Sequence, residues 1–202
     1  MRRSKEDAQQ TRLKIIAAAE EVFFHQGIAR TTLEQIARAA GVTRGAIYWN
    51  FANKVDLINA VHAEVQMPAE ELLMRILADD SCDALTKLEK HCVDSLLQLY
   101  TDEHIRRVYS ILLLKCEHSE ETRLLSERLR ESKFEMTLNL ERFFARLQQH
   151  GHINPTEEPR LLAVGLYSFM LGLYSDYLRY PDFYQMPEDA AKVVRRFFVS
   201  LR

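Results

Sequence analysis

The segment that most constrains this chain is TTLEQIARAAGVTRGAIYWNF, residues 31–51. Thr31 is followed three residues later by Glu34, and this capping box predicts that a helix begins here. Apolar residues then recur at helical spacing as far as Gly41, where a left-handed backbone can end the helix. Thr43 can cap a second short helix directly afterwards. Two short helices joined by a glycine-containing turn predict a helix-turn-helix.

The second helix of this motif has an outer face suited to a large partner. Gly45 stands in its first turn, although alanine would stabilise a helix there by roughly 0.5–1 kcal/mol. Tyr48 and Trp49 are large aromatics for the outside of so short a helix. Arg44 beside them carries a forked guanidinium group that can read guanine or hold phosphate. The alternative is an ordinary helical hairpin in which Trp49 packs into the core.

A family resemblance is carried by GVTRGAIYWNFANK, residues 41–54, and by KCE at residues 115–117. With their surroundings, residues 11–57 resemble the N-terminal DNA-binding domain of the TetR family of bacterial transcription regulators. The KCE motif resembles the one found in the branch of this family that controls multidrug efflux pumps. The resemblance implies an all-α protein with a DNA-binding head and a C-terminal body that binds a small molecule and dimerises. It also implies that Lys54 contacts the DNA backbone.

The predicted DNA contacts come from an N-terminal arm, two threonines at helix starts, the second helix and the start of the next helix. Thr32 can offer its hydroxyl to a phosphate, which the helix dipole supports. The arm, residues 1–10, can add phosphate or minor-groove contacts, or it can be a solvated tail. The predicted set is Arg2, Arg3, Lys5, Thr32, Thr43, Arg44, Gly45, Tyr48, Trp49, Asn50 and Lys54.

Charge is distributed unevenly along the 202 residues. Residues 1–62 contain nine Lys/Arg and six Asp/Glu, a net +3, and the remainder contains 18 and 23, a net −5. A basic head on an acidic body is typical of a protein that brings one end to DNA. The first ten residues lack the apolar core of a signal peptide, and no apolar run reaches the ~18 residues of a membrane span. We therefore expect a soluble cytoplasmic protein.

The rest of the chain has helical periodicity without the alternating runs of strands, so we predict an all-α fold of about nine helices. The predicted domains are an arm and head at 1–52, with the helix-turn-helix at 33–52, a connecting helix at 53–78, and a ligand-binding and dimerisation body at 79–202. Pro68 predicts a kink or restart of the connecting helix, because proline removes a hydrogen bond and clashes with the carbonyl four residues back.

The segment LLAVGLYSFMLGLYSDYL, residues 161–178, is apolar on nearly every side, which indicates burial on every side. We predict that this helix and the last helix pair with their copies in a homodimer. A two-fold dimer suits a palindromic site whose halves lie one DNA turn, about 34–36 Å, apart. The alternative is two core helices of a monomer. The predicted interface residues are Leu161, Gly165, Gly172, Val194, Phe197, Phe198 and Leu201.

Predicted helices six to eight carry aromatic and polar side chains that suit an apolar cavity for a drug-sized molecule. Methionine and tyrosine adapt to varied ligand shapes. The same stripes at helical spacing are also compatible with an ordinary core, and it is the family resemblance that favours the cavity. The predicted ligand-binding residues are Tyr109, Leu113, Phe134, Asn139, Phe143, Tyr167, Met170, Tyr174 and Tyr177.

Sequence motifs for catalysis or for cofactors are missing. Seven histidines and three cysteines form no HExxH motif and no zinc spacing, and the six glycines form no phosphate or dinucleotide loop. No GxSxG motif marks a nucleophile. We therefore predict that the protein is not an enzyme and holds no metal or cofactor.

These features together predict a ligand-responsive repressor of a multidrug efflux operon, released from a palindromic operator when a hydrophobic small molecule binds. One alternative is an activator or a regulator of catabolism with the same fold. The other is a helical small-molecule carrier or enzyme with a vestigial head.

Overall fold

The computed structural model describes residues 5–116 and 123–201, with the side chains of residues 5 and 66–69 excepted. These described residues contain no strand, which confirms the all-α class. Their α-helices are α1 Lys5–Gln26, α2 Leu33–Ala39, α3 Arg44–Asn50, α4 Lys54–Leu77, α5 Ala84–Thr101, α6 Glu103–Leu114, α7 Arg123–Gln149, α8 Pro159–Arg179 and α9 Glu188–Val199, with a 3₁₀ helix at Pro181–Phe183.

The chain divides into two compact units. The first unit contains Met1–Gln66 and Arg107–Arg128, and the second contains Met67–Arg106 and Leu129–Arg202. Helices α4, α6 and α7 therefore contribute residues to both units. The predicted boundaries at residues 52 and 78 lie just after the ends of α3 and α4, whereas the two units divide at other residues. The division into head, connecting helix and body therefore stays a prediction.

Helices α1, α2 and α3 form the head of the first unit, in which α2 packs against both α1 and α3. Each helix contributes apolar side chains that are almost completely buried: Ile15, Ala19 and Phe23 from α1, Ile36 from α2 and Ile47 from α3. A buried aliphatic or aromatic side chain of this size stabilises a fold by about 1.5–3 kcal/mol. This packing is what makes the seven-residue helices α2 and α3 stable, since isolated helices so short are marginal in water.

Helix α2 begins one residue later than the sequence pattern indicates. Thr32 is its N-cap: the hydroxyl accepts a hydrogen bond from the Gln35 N–H at 3.2 Å, and the Gln35 side chain accepts one from the Thr32 N–H at 2.8 Å. Thr31 is buried, and its hydroxyl donates to the Gly27 carbonyl at 2.7 Å. The predicted box of Thr31 and Glu34 is therefore wrong, because Thr31 closes the turn that follows α1.

The turn between α2 and α3 has the predicted form. Gly41 has a φ of 64°, the left-handed region that glycine reaches without strain. The N–H of Val42 donates to the Ala37 carbonyl at 3.0 Å, which satisfies a free carbonyl at the end of α2. The Thr43 hydroxyl accepts a hydrogen bond from the Ala46 N–H at 3.2 Å, so Thr43 is the N-cap of α3 as predicted.

Helix α4 is continuous from Lys54 to Leu77. It does not restart at Pro68, and a kink at that residue stays a prediction.

Helices α5, α7, α8 and α9 supply the core of the second unit, where α5 packs against both α8 and α9. The core side chains include Leu88, Cys92 and Leu96 of α5, Phe143 and Phe144 of α7, Leu166 of α8, and Val194 and Phe198 of α9. Arg146 of α7 donates to the Leu77 carbonyl and pairs with Asp80 at 2.8 Å. A cation at this position favours the C-terminal end of α4 through the helix dipole.

Helix α8 is long and apolar enough to cross a membrane, judged by length and composition alone. This corrects the expectation that no apolar run in the chain reaches that length. Within the structure 28% of its apolar window is buried, and the other residues of the window are half-buried or exposed in a single protomer. Core helices of soluble proteins meet the same criterion, and one such helix is weak evidence for a membrane protein.

Candidate functional site

The outer face of α3 is built as the sequence predicts. Ile47 is completely buried and fixes which way the helix faces, while Phe51 just beyond it is also buried. Tyr48 and Trp49 are left on the outside, with exposed fractions of 51% and 87%. The alternative in which Trp49 packs into the core is therefore wrong. An exposed tryptophan next to an exposed tyrosine is an unusual arrangement for a surface that meets only water.

Arg44 is the first residue of α3 and is exposed. Its guanidinium carbon lies 5.5 Å from the centroid of the Tyr48 ring, which is a cation–π distance. The pKa of Arg44 is raised above its usual value by a hydrogen bond with the Tyr48 side chain, then by the charges of Tyr48 and Glu34. The stacked arrangement restricts the side chain while leaving donors for a base edge or a phosphate.

The remaining predicted polar residues of this surface are already in use within the head. The hydroxyls of Thr32 and Thr43 accept the capping hydrogen bonds of α2 and α3, and both residues are exposed. The Thr43 hydroxyl, which only accepts, keeps a proton to donate to a phosphate. The Thr32 hydroxyl already donates its proton to the Gln35 side-chain oxygen at 3.1 Å. The Asn50 amide is half-buried and donates one of its two N–H groups to the Ala46 carbonyl at 2.8 Å, which leaves the second N–H and the amide oxygen for a base edge.

Lys54 does not lie at the surface. Its side chain is buried, and its ammonium group donates to the carbonyls of Thr31 at 2.8 Å and Ala29 at 3.4 Å. The expected contact of this ammonium group with the DNA backbone is corrected, because it is directed at protein carbonyls of the loop before α2.

The predicted arm contacts fall mostly outside the described part of the chain. Arg2 and Arg3 lie outside the described residues, and Lys5 is described only as the first residue of α1. Residues 5–10, expected to belong to a solvated arm, form the first turns of α1.

Gly45 allows a direct test of why a helix former is missing there. A Cβ at this position would meet only the Thr43 hydroxyl, at 4.0 Å, so the head itself has room for a side chain. We expect Gly45→Ala to raise the free energy of unfolding by about 0.5–1 kcal/mol, since alanine is the better helix former. We expect the same variant to bind operator DNA more weakly, because the added methyl group stands where the duplex approaches. Chemical denaturation and DNA titration measure the two effects.

The matched control is Gly41→Ala, at the left-handed turn between α2 and α3. That substitution strains the backbone and should lower both stability and DNA binding. Equal or tighter DNA binding by Gly45→Ala would show that no partner approaches this turn of α3.

The first unit also contains a junction between α6 and α1. Arg107 of α6 and Lys115, the residue that follows α6, contact Glu20 and Phe24 of α1. Arg107 pairs with the buried Glu20 carboxylate at 2.7 Å. The Lys115 ammonium donates to the Phe24 carbonyl and lies 4.7 Å from the centroid of its ring. Sequence reasoning missed this junction, although an acidic residue on the apolar face of α1 and the KCE motif were signals for it.

The predicted ligand-binding residues divide between the two units. Tyr109 and Leu113 belong to the first unit, on α6, and the other residues belong to the second unit. In the second unit Asn139, Tyr167 and Tyr174 are half-buried. Phe143 is completely buried against Phe144, and Phe134 is 69% exposed on α7. The roles of these two phenylalanines in ligand binding stay predictions, because buried aromatic side chains line ligand cavities and exposed ones lie at their entrances.

Tyr177 lies in an aromatic cluster that the sequence did not indicate. Its ring contacts those of Tyr100 and Tyr184 edge-on, with centroids 6.4 and 5.6 Å apart. Burial raises the pKa of Tyr177, and burial together with a hydrogen bond to Asp176 raises the pKa of Tyr184 to about 12. Burial also raises the pKa of Tyr167, so these hydroxyls are neutral groups at neutral pH.

An open depression of about 530 Å³ lies on the second unit, and its described lining residues come from α4: Glu70, Glu71, Met74 and Arg75. The Asn139 amide lies 3.6 Å from the Met74 sulfur, which joins one predicted residue to this site. Most of the lining surface of this open depression is apolar, although three of its four described lining residues are charged, and the expected apolar cavity stays a prediction. Among the described residues, no group of three His, Cys, Asp or Glu side chains is arranged to hold a metal ion.

The predicted dimer residues separate into buried and exposed sets. Val194, Phe198 and Leu201 are buried within the protomer, so the prediction is wrong for them, because α9 directs this face at the core of its own unit. Phe197 stacks on Phe169 with centroids 5.5 Å apart, and a Cβ at Gly165 would lie 3.5 Å from Phe197.

The exposed apolar residues on α8 and α9 form a second set. It comprises Leu161, Val164, Gly172 and Val199. Residues 161, 164 and 172 lie on one face of α8 because they are three and eight residues apart. Val164 and Val199 are not among the residues predicted for the interface.

Two family models match most of the chain. Residues 83–202 match the C-terminal region of MAATS-type transcriptional repressors, and residues 15–61 match the TetR family of bacterial regulatory proteins. This chain belongs to the TetR family. It is a DNA-binding transcriptional repressor of that family, as the resemblance of residues 11–57 predicts. The head described above is the part that the TetR-family model covers.

Relatives of this TetR-family chain support the assignment over its whole length. TtgR, an HTH-type transcriptional regulator of Pseudomonas putida, is 32% identical over 96% of this chain and 92% of its own. The solved structure of NalD, the secondary repressor of the MexAB-OprM multidrug efflux pump in Pseudomonas aeruginosa, is 39% identical, with a TM-score of 0.89 over 98% of each chain.

A SmeT–triclosan complex is also similar, at 29% identity and a TM-score of 0.86 over 96% of this chain and 92% of SmeT. SmeT is the repressor of the Stenotrophomonas maltophilia multidrug efflux pump SmeDEF.

Proposed function

We propose that this protein is a cytoplasmic, homodimeric repressor of a multidrug efflux operon, which leaves a palindromic operator when a hydrophobic small molecule binds. The observation that carries the proposal is the exposed face of α3, where Arg44, Tyr48 and Trp49 stand together on a helix held by one buried residue. An arginine at the N-terminal end of a short second helix is placed to read guanine in the major groove.

The dimer proposal rests on α8 and α9. Leu161, Val164 and Val199 expose apolar surface in the protomer, and Gly172 offers a backbone without a side chain beside them. A second copy of the same face would cover this surface by two-fold symmetry. Two heads related by that symmetry would each insert α3 into a major groove, about 34–36 Å apart along a palindrome.

Effector binding is assigned to the second unit, with Asn139, Tyr167, Met170, Tyr174 and Tyr177 as the retained residues. Neutral tyrosine hydroxyls and a methionine suit a ligand that is mainly hydrophobic with a few polar groups. The relatives named as efflux-pump repressors, and the triclosan bound to SmeT, support this class of effector. Tyr109, Leu113, Phe134 and Phe143 stay predictions.

The link between effector and DNA is assigned to α6, which contributes residues to both units. Arg107 of α6 and Lys115, the residue that follows α6, join α1 at the junction described above, so a displacement of α6 would move the head. A coupling free energy of about 1–3 kcal/mol between the two sites would weaken operator binding 5- to 150-fold. The effector would supply this coupling free energy by binding one arrangement of the two heads more tightly than the other.

The test is a gel shift with the DNA upstream of the protein's own gene, repeated with hydrophobic antibiotics and dyes. We expect a shifted complex that competing mixed-sequence DNA does not displace, and we expect at least one compound to release it. If no sequence-specific complex formed, the result would favour a carrier or enzyme with a vestigial head. A complex that no compound releases, with target expression falling on gene deletion, would favour an activator.

A further inference from the structure

The C-terminal end of α3 needs support from outside the helix. Seven residues give α3 about two turns, and Ile47 is its one buried residue. The Phe51 N–H donates to the Ile47 carbonyl at 2.8 Å, and the carbonyls that follow Ile47 in this last turn have no partner within the helix. A helix that must present Trp49 and Arg44 at a fixed angle cannot tolerate fraying at this end.

Arg12 of α1 supplies that support. One terminal nitrogen of its guanidinium group donates to the Asn50 carbonyl at 3.0 Å, across 38 residues of sequence. The guanidinium carbon lies 4.3 Å from the centroid of the Phe51 ring, and that ring is almost completely buried. One side chain thus makes a charge-assisted hydrogen bond to the last residue of α3 and a cation–π contact with the residue that follows it.

Arginine is the residue type that this position requires. Its plane stacks on an aromatic face while its edge donates hydrogen bonds, whereas a lysine ammonium group cannot do both with the same geometry. A positive charge at the C-terminal end of a helix is also favoured by the helix dipole. Asn50, whose side chain bonds back to Ala46, and Phe51 directly follow Trp49 in the chain, so this contact fixes the segment that carries the exposed tryptophan.

We propose that Arg12 is a positioning residue for operator recognition: by holding the C-terminal end of α3 against α1, it fixes the angle at which Arg44, Tyr48 and Trp49 meet the DNA. The inference rests on the proposed DNA-binding function. It predicts that loss of Arg12 reduces discrimination between operator and other DNA, while a residue that merely neutralised phosphate would affect both kinds of DNA alike.

The chain offers an internal probe for the test, because Trp49 is its single tryptophan and lies on α3. The variants are Arg12→Met and Arg12→Lys, with Lys14→Met as the control, since Lys14 is an exposed lysine on the same helix. Circular dichroism would first establish that each variant is folded. Hydrogen exchange of the amides of residues 47–51 and the fluorescence anisotropy of Trp49 would then be measured on the protein without DNA.

We expect Arg12→Met to exchange these amides about tenfold faster than the natural protein and to lower the Trp49 anisotropy, since it removes a charged hydrogen bond at the helix end. Lys14→Met should change neither. Arg12→Lys should fall between them, and it remains informative if Arg12→Met does not fold. These readouts need no operator, so they stay valid even if the upstream DNA is not bound.

DNA titration then separates positioning from charge. With the upstream fragment and a mixed-sequence duplex of equal length, we expect Arg12→Met to lose about tenfold or more in the affinity ratio, and Lys14→Met to keep the ratio. Unchanged exchange and anisotropy in Arg12→Met would overturn the proposal. So would an equal weakening on both duplexes with a salt slope shallower by about 0.9 for each head, about 1.8 for the dimer, because Arg12 would then neutralise a DNA phosphate.

Discussion

Replacement of Arg44 by alanine is expected to abolish selective operator binding while leaving the fold and the oligomeric state unchanged. Arg44 is exposed, begins α3, and is held over the Tyr48 ring at 5.5 Å, so the substitution leaves the core intact. A bidentate contact of arginine with guanine discriminates by about 1–3 kcal/mol, and two symmetric heads would roughly double that. The expected loss of operator affinity is therefore at least about 30-fold.

The comparison that isolates this contact is Arg142→Ala, which removes an equal charge from an exposed position on α7 of the second unit. Fluorescence titration at two salt concentrations, with operator and mixed-sequence duplexes, measures both specific and charge-dependent binding. Arg142→Ala should leave the operator preference intact. If Arg44→Ala kept that preference too, the reading surface would lie somewhere other than the N-terminal end of α3.

The second large effect is expected from Val164→Asp on the exposed face of α8. Val164 is 39% exposed and lies one turn from Leu161, which is 56% exposed, so a carboxylate there is hydrated in the protomer. In a two-fold interface the carboxylate would be buried opposite its own copy, which costs several kcal/mol. We expect dimer affinity to fall at least about 100-fold. Sedimentation should show the mass change from twice 23.6 kDa to 23.6 kDa.

Operator binding should fall with the dimer, because a single head loses the gain from binding two half-sites at once. Leu72→Asp is the matched control: Leu72 is 46% exposed on α4, outside the proposed interface. It should change neither mass nor DNA binding. A dimer that persists in Val164→Asp would place the contact between copies on a different surface.

Short-range pattern was a reliable guide where neighbours in sequence decide the structure. The glycine turn at Gly41 and the cap at Thr43 depend on residues two to four positions away, and both have the predicted geometry. The predicted capping box at the start of α2 was one residue too early, because Thr31 and Thr32 are adjacent and so are the acceptors Glu34 and Gln35. The choice of Thr32 depends on the hydrogen bond of Thr31 to Gly27, which belongs to the preceding turn.

The errors concern which side of a helix is covered. Lys54 was expected at the surface, but it lies under the loop before α2, whose carbonyls it satisfies. Phe198 and Val194 looked like interface residues by composition, yet they belong to the core of their own unit. Hydrophobicity alone does not distinguish a face buried by the same chain from one buried by a copy, because both exclude water equally.

The sequence by itself determined the helical class, the family, and the exposed aromatic face of α3, since these follow from helix periodicity, capping residues and one motif of fourteen residues. The tertiary structure alone decided that Arg12 meets the end of α3 and that Arg107 and Lys115 meet α1. Those contacts join residues 38 to 91 positions apart. Such pairs depend on how whole helices pack, and no local pattern in a single sequence specifies them.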